Sequence, residues 1–192
     1  MKNVRPLCLA GIALLLSGCS TLSEVHWSKM APWNWFGGGI KVTEQGVGGI
    51  TATTPLSDDA IADGLNDDYR LRSGMRMHSG KLSKYYEAMK QDALALVISG
   101  ENGSIRRIDV MDKEIESEAG VKIGAPFSDV YARAYGACQP GNDDDARLVV
   151  CAAPDSQHIY YGFSGAWRGP EGLMPSDDTL KNWTLKKIIW QQ

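Results

Sequence analysis

The sequence has no hydrophobic run long enough to cross a bilayer. Its longest apolar run, from Leu7 to Leu16, has about ten residues, whereas a membrane-spanning helix needs ~20. The basic residues Lys2 and Arg5 precede this run, and a basic start followed by a short apolar run is typical of an export signal. The start of the chain therefore predicts an export signal that is removed.

Positive charge is not in excess. The chain has 20 Lys and Arg residues against 23 Asp and Glu residues, so its formal net charge is −3. Removal of the signal takes away the two positive charges of Lys2 and Arg5, which leaves −5. Binding to nucleic acid depends on clustered Lys and Arg. We therefore expect no nucleic-acid partner.

Histidine is scarce, and no metal-binding spacing is present. The three histidines are His26, His78 and His158, and none lies at the spacing of a helical metal site. The segment 155–158 contains Asp, Ser and His, the residue types of a hydrolase triad, but residues within one turn do not usually aim at one another as triad members do. We predict no catalytic residue, no metal ligand and no cofactor. An enzyme with an unrecognised site remains the alternative.

The apolar run ends in Leu16-Ser17-Gly18-Cys19, which resembles a lipobox. At a lipobox, bacteria attach diacylglycerol to the cysteine sulfur and cleave the chain before it. We therefore expect residues 1–18 to be a lipoprotein signal peptide that is removed, and Cys19 to carry the lipid that holds the chain on a membrane, facing the periplasm. Ser20 stands where enterobacterial lipoproteins of the inner membrane have Asp, so this resemblance favours the outer membrane. The alternative is a secretory signal with a chance cysteine.

The remaining cysteines agree with export. Cys8 leaves with the signal, so Cys138 and Cys151 remain beside the lipidated residue. An even pair in an oxidising compartment predicts a disulfide, with two free thiols as the alternative. Residues 139–145 between them have the composition of a solvated turn.

Residues 19–40 have the composition of a tether ahead of a domain at 41–192. The segment contains Trp27, Trp33 and Trp35 and ends in a run of three glycines, 37–39, and glycine runs are flexible. The indoles either lie at the membrane interface, where amphipathic rings are favoured, or pack on the domain. The sequence leaves both possibilities open.

The domain contains an internal duplication. Residues 49–58 align without gaps on residues 120–129, with identical Gly, Pro, Ser and Asp. A helical pattern follows Ser57 in the first copy and Ser128 in the second, where it stops at Gly136. The repeat halves are therefore about 46–115 and 116–192.

Each copy then turns into strands. Asn102-Gly103 between apolar runs is a strong hairpin signal, and Lys81–Asp92 fits a helix or, as we favour, a strand. The sequence thus predicts an α+β fold: an antiparallel sheet with helices on one face, built from two tandem helix-plus-strands repeats. The second face would stay free to bind a partner. The strand segments are 93–100, 104–110, 147–152, 158–165 and 183–190.

Several phrases support a resemblance to a known family. The lipobox, the Trp-rich tether and the phrases at 97–100 and 121–130 resemble the enterobacterial envelope lipoproteins regulated by the stress factor sigma-E. This resemblance implies an envelope lipoprotein and carries no biochemical activity. More distantly, the repeat is similar to the small lipoprotein subunit of the β-barrel assembly machine and to tandem-repeat β-lactamase inhibitors. Because those proteins bind other proteins, the resemblance implies a non-catalytic module with an envelope protein partner.

Overall fold

The computed structural model describes residues 39–78, 80–170 and 172–192. The expected signal peptide, the lipidated Cys19 and almost all of the tether, including its tryptophans, lie outside the described residues. The described residues cluster as one compact unit.

The first half of the domain passes through three short strands and one helix into a meander of four long strands. The turn between the last two strands holds Asn102 and Gly103 at φ 51° and 79°, as a type I′ hairpin turn requires. Residues 81–90 form a strand, as the sequence analysis favoured. The elements are β1 (Lys41–Thr43), β2 (Gly46–Val47), β3 (Ile50–Thr51), α1 (Asp58–Gly64), β4 (Arg70–His78), β5 (Lys81–Lys90), β6 (Ala93–Glu101) and β7 (Ser104–Val110).

The second half repeats this progression with shorter elements. A 3₁₀ turn at Asp143–Asp145 lies in the loop between its first two meander strands. The elements are β8 (Glu116–Ser117), α2 (Phe127–Val130), β9 (Cys138–Pro140), β10 (Val149–Ala152), β11 (Ile159–Ser164), α3 (Asp177–Leu180) and β12 (Thr184–Gln191).

The two meanders join edge to edge in one antiparallel sheet. Within the described residues its eight strands lie in the order β4-β5-β6-β7-β12-β11-β10-β9. The seam is the pairing of β7 with β12, where Val110 lies opposite Ile188 and Ile108 opposite Trp190. A smaller sheet has the order β3-β2-β1-β8, and only its β1–β8 pairing is parallel.

The core lies between one face of the large sheet and a layer formed by the small sheet and the short helices. Ile98, Ile108, Trp190 and Ile159 form a buried row across four adjacent strands of the large sheet. The Trp190 indole N–H donates to the carbonyl of Glu44 at 3.0 Å, which ties the row to the covering layer. Burial of this apolar surface supplies most of the driving force for folding.

The α+β prediction is wrong: the domain is mostly β. The α-helices of the described residues have only seven, four and four residues, and a sheet supplies much of the layer over the core. None of these helices is long and apolar enough to cross a membrane.

The helix expected after Ser128 shows the physical reason for this error. It ends at Val130, because Tyr131 is extended (φ −130°, ψ 130°). In that conformation the Tyr131 ring lies 5.3 Å from the ring of Phe127 and 5.9 Å from that of Phe163. A short isolated helix has little stability of its own, so burial of the ring determines the backbone.

Equivalent contacts recur in both halves. Pro55 bridges to Ser104 at the start of β7, and Pro126 bridges to Thr184 at the start of β12. The amide after each proline donates at 2.8 Å to the carbonyl of the residue before that bridged serine or threonine. These contacts agree with the aligned segments, and the repeat boundaries stay a prediction.

Candidate functional site

The face of the large sheet opposite the core, here called the outer face, carries side chains from both halves. Because side chains alternate between faces along a strand, the residues between the core positions point outward. One row of such residues crosses six strands through directly paired positions. It comprises Arg72, Glu87, Val97, Asp109, Ile189 and Tyr160.

Four ionised side chains meet at the centre of the outer face and are called the charge cluster: Arg107, Asp109, Asp145 and Lys187. Arg107 Nη2 lies 2.5 Å from Asp145 Oδ2 and 2.8 Å from Asp109 Oδ1. Lys187 Nζ lies 2.8 Å from Asp145 Oδ1 and 3.7 Å from Asp109 Oδ2. The carboxylate side chains of Asp109 and Asp145 are only 5% and 8% exposed. The cluster thus links β7, β12 and the 3₁₀ turn through ion pairs that are largely shielded from water.

The pKa values of the cluster follow from this arrangement. Burial works to raise the pKa of Asp145, but the hydrogen bond from Lys187 and the positive charges of Arg107 and Lys187 outweigh it and lower that pKa. Burial works to lower the pKa of Arg107, and the carboxylates of Asp109 and Asp145 outweigh it and raise that pKa. Each charge of the cluster is paired with an opposite charge inside it. The cluster therefore stabilises the seam between β7 and β12 and is not a reactive site.

The loop 141–148 covers part of the outer face. Besides Asp145, it places Asp144 Oδ2 at 2.6 Å from Arg76 Nη1. Leu148 packs on Gly162, where a Cβ atom would lie 2.8 Å from the leucine Cδ1. The expectation of a wholly free second face is therefore too simple, because one end of the face is closed by a loop.

The exposed parts of the outer-face row lie on either side of its buried centre. Arg72 is 62% exposed and Glu87 is 29% exposed, whereas Asp109 and Ile189 are buried. Val97 and Tyr160 are partly exposed. A partner could thus reach the row from β4–β6 of the first half and from β11 of the second. We call the four members of this row that reach solvent, Arg72, Glu87, Val97 and Tyr160, the outer row.

The Asp-Ser-Gln-His segment does not assemble a catalytic relay. The Ser156 hydroxyl donates to the Glu44 carboxylate and accepts from the amide of Ile159 at 2.8 Å. The His158 ring Nδ1 lies 3.0 Å from the carbonyl oxygen of Gln191. The serine is therefore held by a carboxylate and backbone amides, and the segment serves as a turn that fastens β11 to the first strands.

A shallow depression of about 280 Å³ lies between the turn that joins β5 to β6 and the segment that follows β7. The Tyr69 hydroxyl donates to Asp112 at 2.8 Å, and Lys90 Nζ lies 2.5 Å from Glu114 Oε2. Burial, followed by the bond to Asp112, raises the pKa of Tyr69, and the bond to Glu114 raises the pKa of Lys90. These polar groups are paired with one another. Nowhere in residues 39–78, 80–170 and 172–192 do three or more His, Cys, Asp or Glu side chains gather as a metal would require.

Cys138 and Cys151 are joined by a disulfide between directly opposed residues of β9 and β10, which fits the pair expected from the sequence. The bridge fixes the short edge strand β9 to the sheet. It also anchors both ends of the loop 141–148, which delivers Asp145 to the charge cluster.

Sequence reasoning missed the role of Asp145. The acids at 143–145 have the pattern of a solvated turn, and the partners of Asp145 are 38 and 42 residues away along the chain. One signal was available: the matched basic pairs 106–107 and 186–187. Arg106 and Lys186 are exposed, while Arg107 and Lys187 enter the cluster. Two partly buried cations on adjacent strands indicate an anion supplied from elsewhere in the fold.

Comparisons with known proteins place the chain in a family. Residues 24–192 match the family model described as "Protein of unknown function (DUF1131)". The chain is 58% identical over its whole length to "Uncharacterized protein YfeY" of Escherichia coli (strain K12), which it also covers completely. It is similar to the crystal structure of the uncharacterized protein yfeY from Escherichia coli, with a TM-score of 0.73 and 58% identity, covering 79% of this chain and 99% of that one. The chain belongs to the DUF1131 family.

Proposed function

We propose that this protein is a lipid-anchored component of the bacterial cell envelope that binds another envelope component through the outer row and catalyses no reaction. The proposed lipid anchor and location in the cell envelope rest on the lipobox at Cys19. The outer membrane is its proposed location, because Ser20 follows the lipidated cysteine. The disulfide agrees with an oxidising compartment.

The continuity of the large sheet across the seam is the observation that carries the binding role. Pairing of β7 with β12 places side chains of both halves in one row on the outer face. The buried charge cluster holds that seam, so the exposed ends of the row keep a fixed spacing. Arginine and tyrosine, the residue types of Arg72 and Tyr160, are enriched where proteins bind partners.

Photocrosslinking in living cells tests the binding role. A photoreactive residue would replace Arg72 or Tyr160, with exposed Asp67 and Glu118, away from the large sheet, as matched control positions. We expect one discrete crosslinked product, of the same mass, from both outer-row positions and none from the controls. Equal products from all four positions, or none from the outer row, would contradict the proposal.

Regulation by envelope stress is a separate part of the proposal. It rests on the resemblance of the phrases at 97–100 and 121–130 to sigma-E-regulated lipoproteins. Transcript measurement after induction of sigma-E in the source bacterium tests it. A rise in the transcript is expected, and an unchanged transcript would refute this part while leaving the binding role intact.

A further inference from the structure

The hairpin β4–β5 continues beyond the rest of the large sheet. Strand β5 pairs with β6 only from Tyr85 onward, so its first four residues pair with β4 alone. In this two-stranded part Met75 lies opposite Lys84, and Met77 lies opposite Leu82. A two-stranded hairpin in water has little stability by itself.

The apolar side chains of this extension are uncovered. By strand alternation, Leu82 and Lys84 share the face of Tyr86 and Ala88, which are buried in the core. The core ends at Tyr86, and beyond it Met75, Met77 and Leu82 are 56%, 65% and 62% exposed. We call Met75, Met77, Lys81, Leu82 and Lys84 the hairpin tip.

Positive charge is concentrated on the same hairpin. Among the described residues, no carboxylate forms an ion pair with Lys81 or Lys84, and Lys84 Nζ instead donates to the Tyr86 hydroxyl at 2.6 Å. The arginines of β4 are paired with carboxylates, including Arg76 with Asp144 in the two-stranded part itself. Across 70–90 the basic residues outnumber the acid in a chain of net charge −3. The basic residues are Arg70, Arg72, Arg76, Lys81, Lys84 and Lys90, and the acid is Glu87.

The charges define what can cover the hairpin tip. A second copy of this chain docked through the same hairpin would bring the same lysines against these, and like charges repel. A covering surface must supply negative charge around an apolar contact. Anionic lipid offers both at once, because cationic side chains bind its headgroups while apolar side chains enter the acyl boundary.

We propose that the hairpin tip inserts Met77 and Leu82 into the interface of an anionic lipid surface, with Lys81 and Lys84 on the headgroups. This contact is independent of the lipid on Cys19. When the protein is also anchored, the tether keeps the membrane at high effective concentration, so a weak second contact holds the domain against the surface.

Co-sedimentation of the processed, non-lipidated chain carrying Cys19→Ser with vesicles tests the proposal. We expect binding to vesicles of phosphatidylethanolamine with phosphatidylglycerol, weakened by salt, and none to phosphatidylcholine alone. The double variant Met77→Ser/Leu82→Ser should lose affinity about tenfold or more, since two exposed apolar side chains leave the interface. Lys81→Gln/Lys84→Gln should lose a similar factor on anionic vesicles.

The matched control is Leu173→Ser, because Leu173 is 59% exposed and lies outside the hairpin. It should bind like the parent chain, and equal melting temperatures would show that all variants fold. Failure of the parent chain to bind anionic vesicles would overturn the proposal, as would equal binding by the tip variants. If the tip variants instead abolish a dimer of this chain, or if a photoreactive residue at position 82 crosslinks to a protein, the tip has a different occupant and the proposal is wrong. Because the protein tested carries no lipid, none of these results depends on the proposed anchor.

Discussion

The charge cluster makes a quantitative prediction about stability. Asp145→Asn leaves Arg107 and Lys187 with Asp109 as their only carboxylate in the cluster. Breaking a buried ion pair costs about 3–5 kcal/mol, and the 25% and 14% exposure of the two cations lets water recover part of that. We therefore expect the free energy of unfolding at neutral pH to fall by about 2–3 kcal/mol, or roughly 5–10 °C in melting temperature for a domain of this size.

Urea unfolding followed by tryptophan fluorescence measures this loss, and the neighbouring acid supplies the control. Asp144 is 59% exposed and pairs with Arg76 at the surface, so Asp144→Asn should cost under about 1 kcal/mol. The slope of the free energy against urea should be the same in all three proteins, since the folded states bury the same surface. Equal losses for the two variants would refute the fastening role of Asp145.

Acid should remove the difference between the parent chain and Asp145→Asn. The pKa of Asp145 is lower in the folded protein than in the unfolded chain. Its contribution is therefore fully present above the unfolded pKa of about 4 and is lost as pH falls through the folded pKa. The two stability curves should converge below about pH 4, and a constant gap down to acid unfolding would contradict the assignment.

Three further predictions concern the second half. Intact mass after alkylation without reduction should show Cys138 and Cys151 unmodified, and replacing both with Ser should lower stability by about 3 kcal/mol. Tyr131→Phe, which removes the 2.6 Å bond to the carbonyl of Ala152, should cost about 1 kcal/mol in urea unfolding. Gly162→Val should displace Leu148, because the new Cβ atom would lie 2.8 Å from the leucine Cδ1, and should raise proteolysis within 141–148. Unchanged cleavage would mean that the loop is held without this contact.

Local signals predicted the six inner strands of the large sheet, but not its edge strands β4 and β9 and not the small sheet. The Asn102-Gly103 turn fixed one hairpin, because both residues adopt the positive φ that a type I′ turn needs. The strand at 81–90 followed from its flanking turns. The helix after Ser128 was wrong, because helical periodicity and a buried aromatic ring make competing demands at Tyr131, and only the position of Phe163 in space decides between them.

The site was harder to predict than the strands. The basic pairs at 106–107 and 186–187 indicated charge on both strands. The β-bulges beside these pairs decide which member of each pair enters the charge cluster and which stays exposed to solvent. The anion at Asp145 comes from a loop whose course over the sheet no local pattern encodes. The exposure of the hairpin tip was not predictable for a similar reason. Met77 and Leu82 have the sequence pattern of ordinary strand residues, and only the three-dimensional structure shows that the core ends at Tyr86.

The central claim is that the protein is held on a membrane through Cys19. Metabolic labelling with palmitate, comparing the parent chain with Cys19→Ala, tests it most directly. The account predicts a labelled, processed parent protein in the membrane fraction and an unlabelled, uncleaved variant. Equal labelling of the variant, or an unlabelled parent chain, would contradict the account.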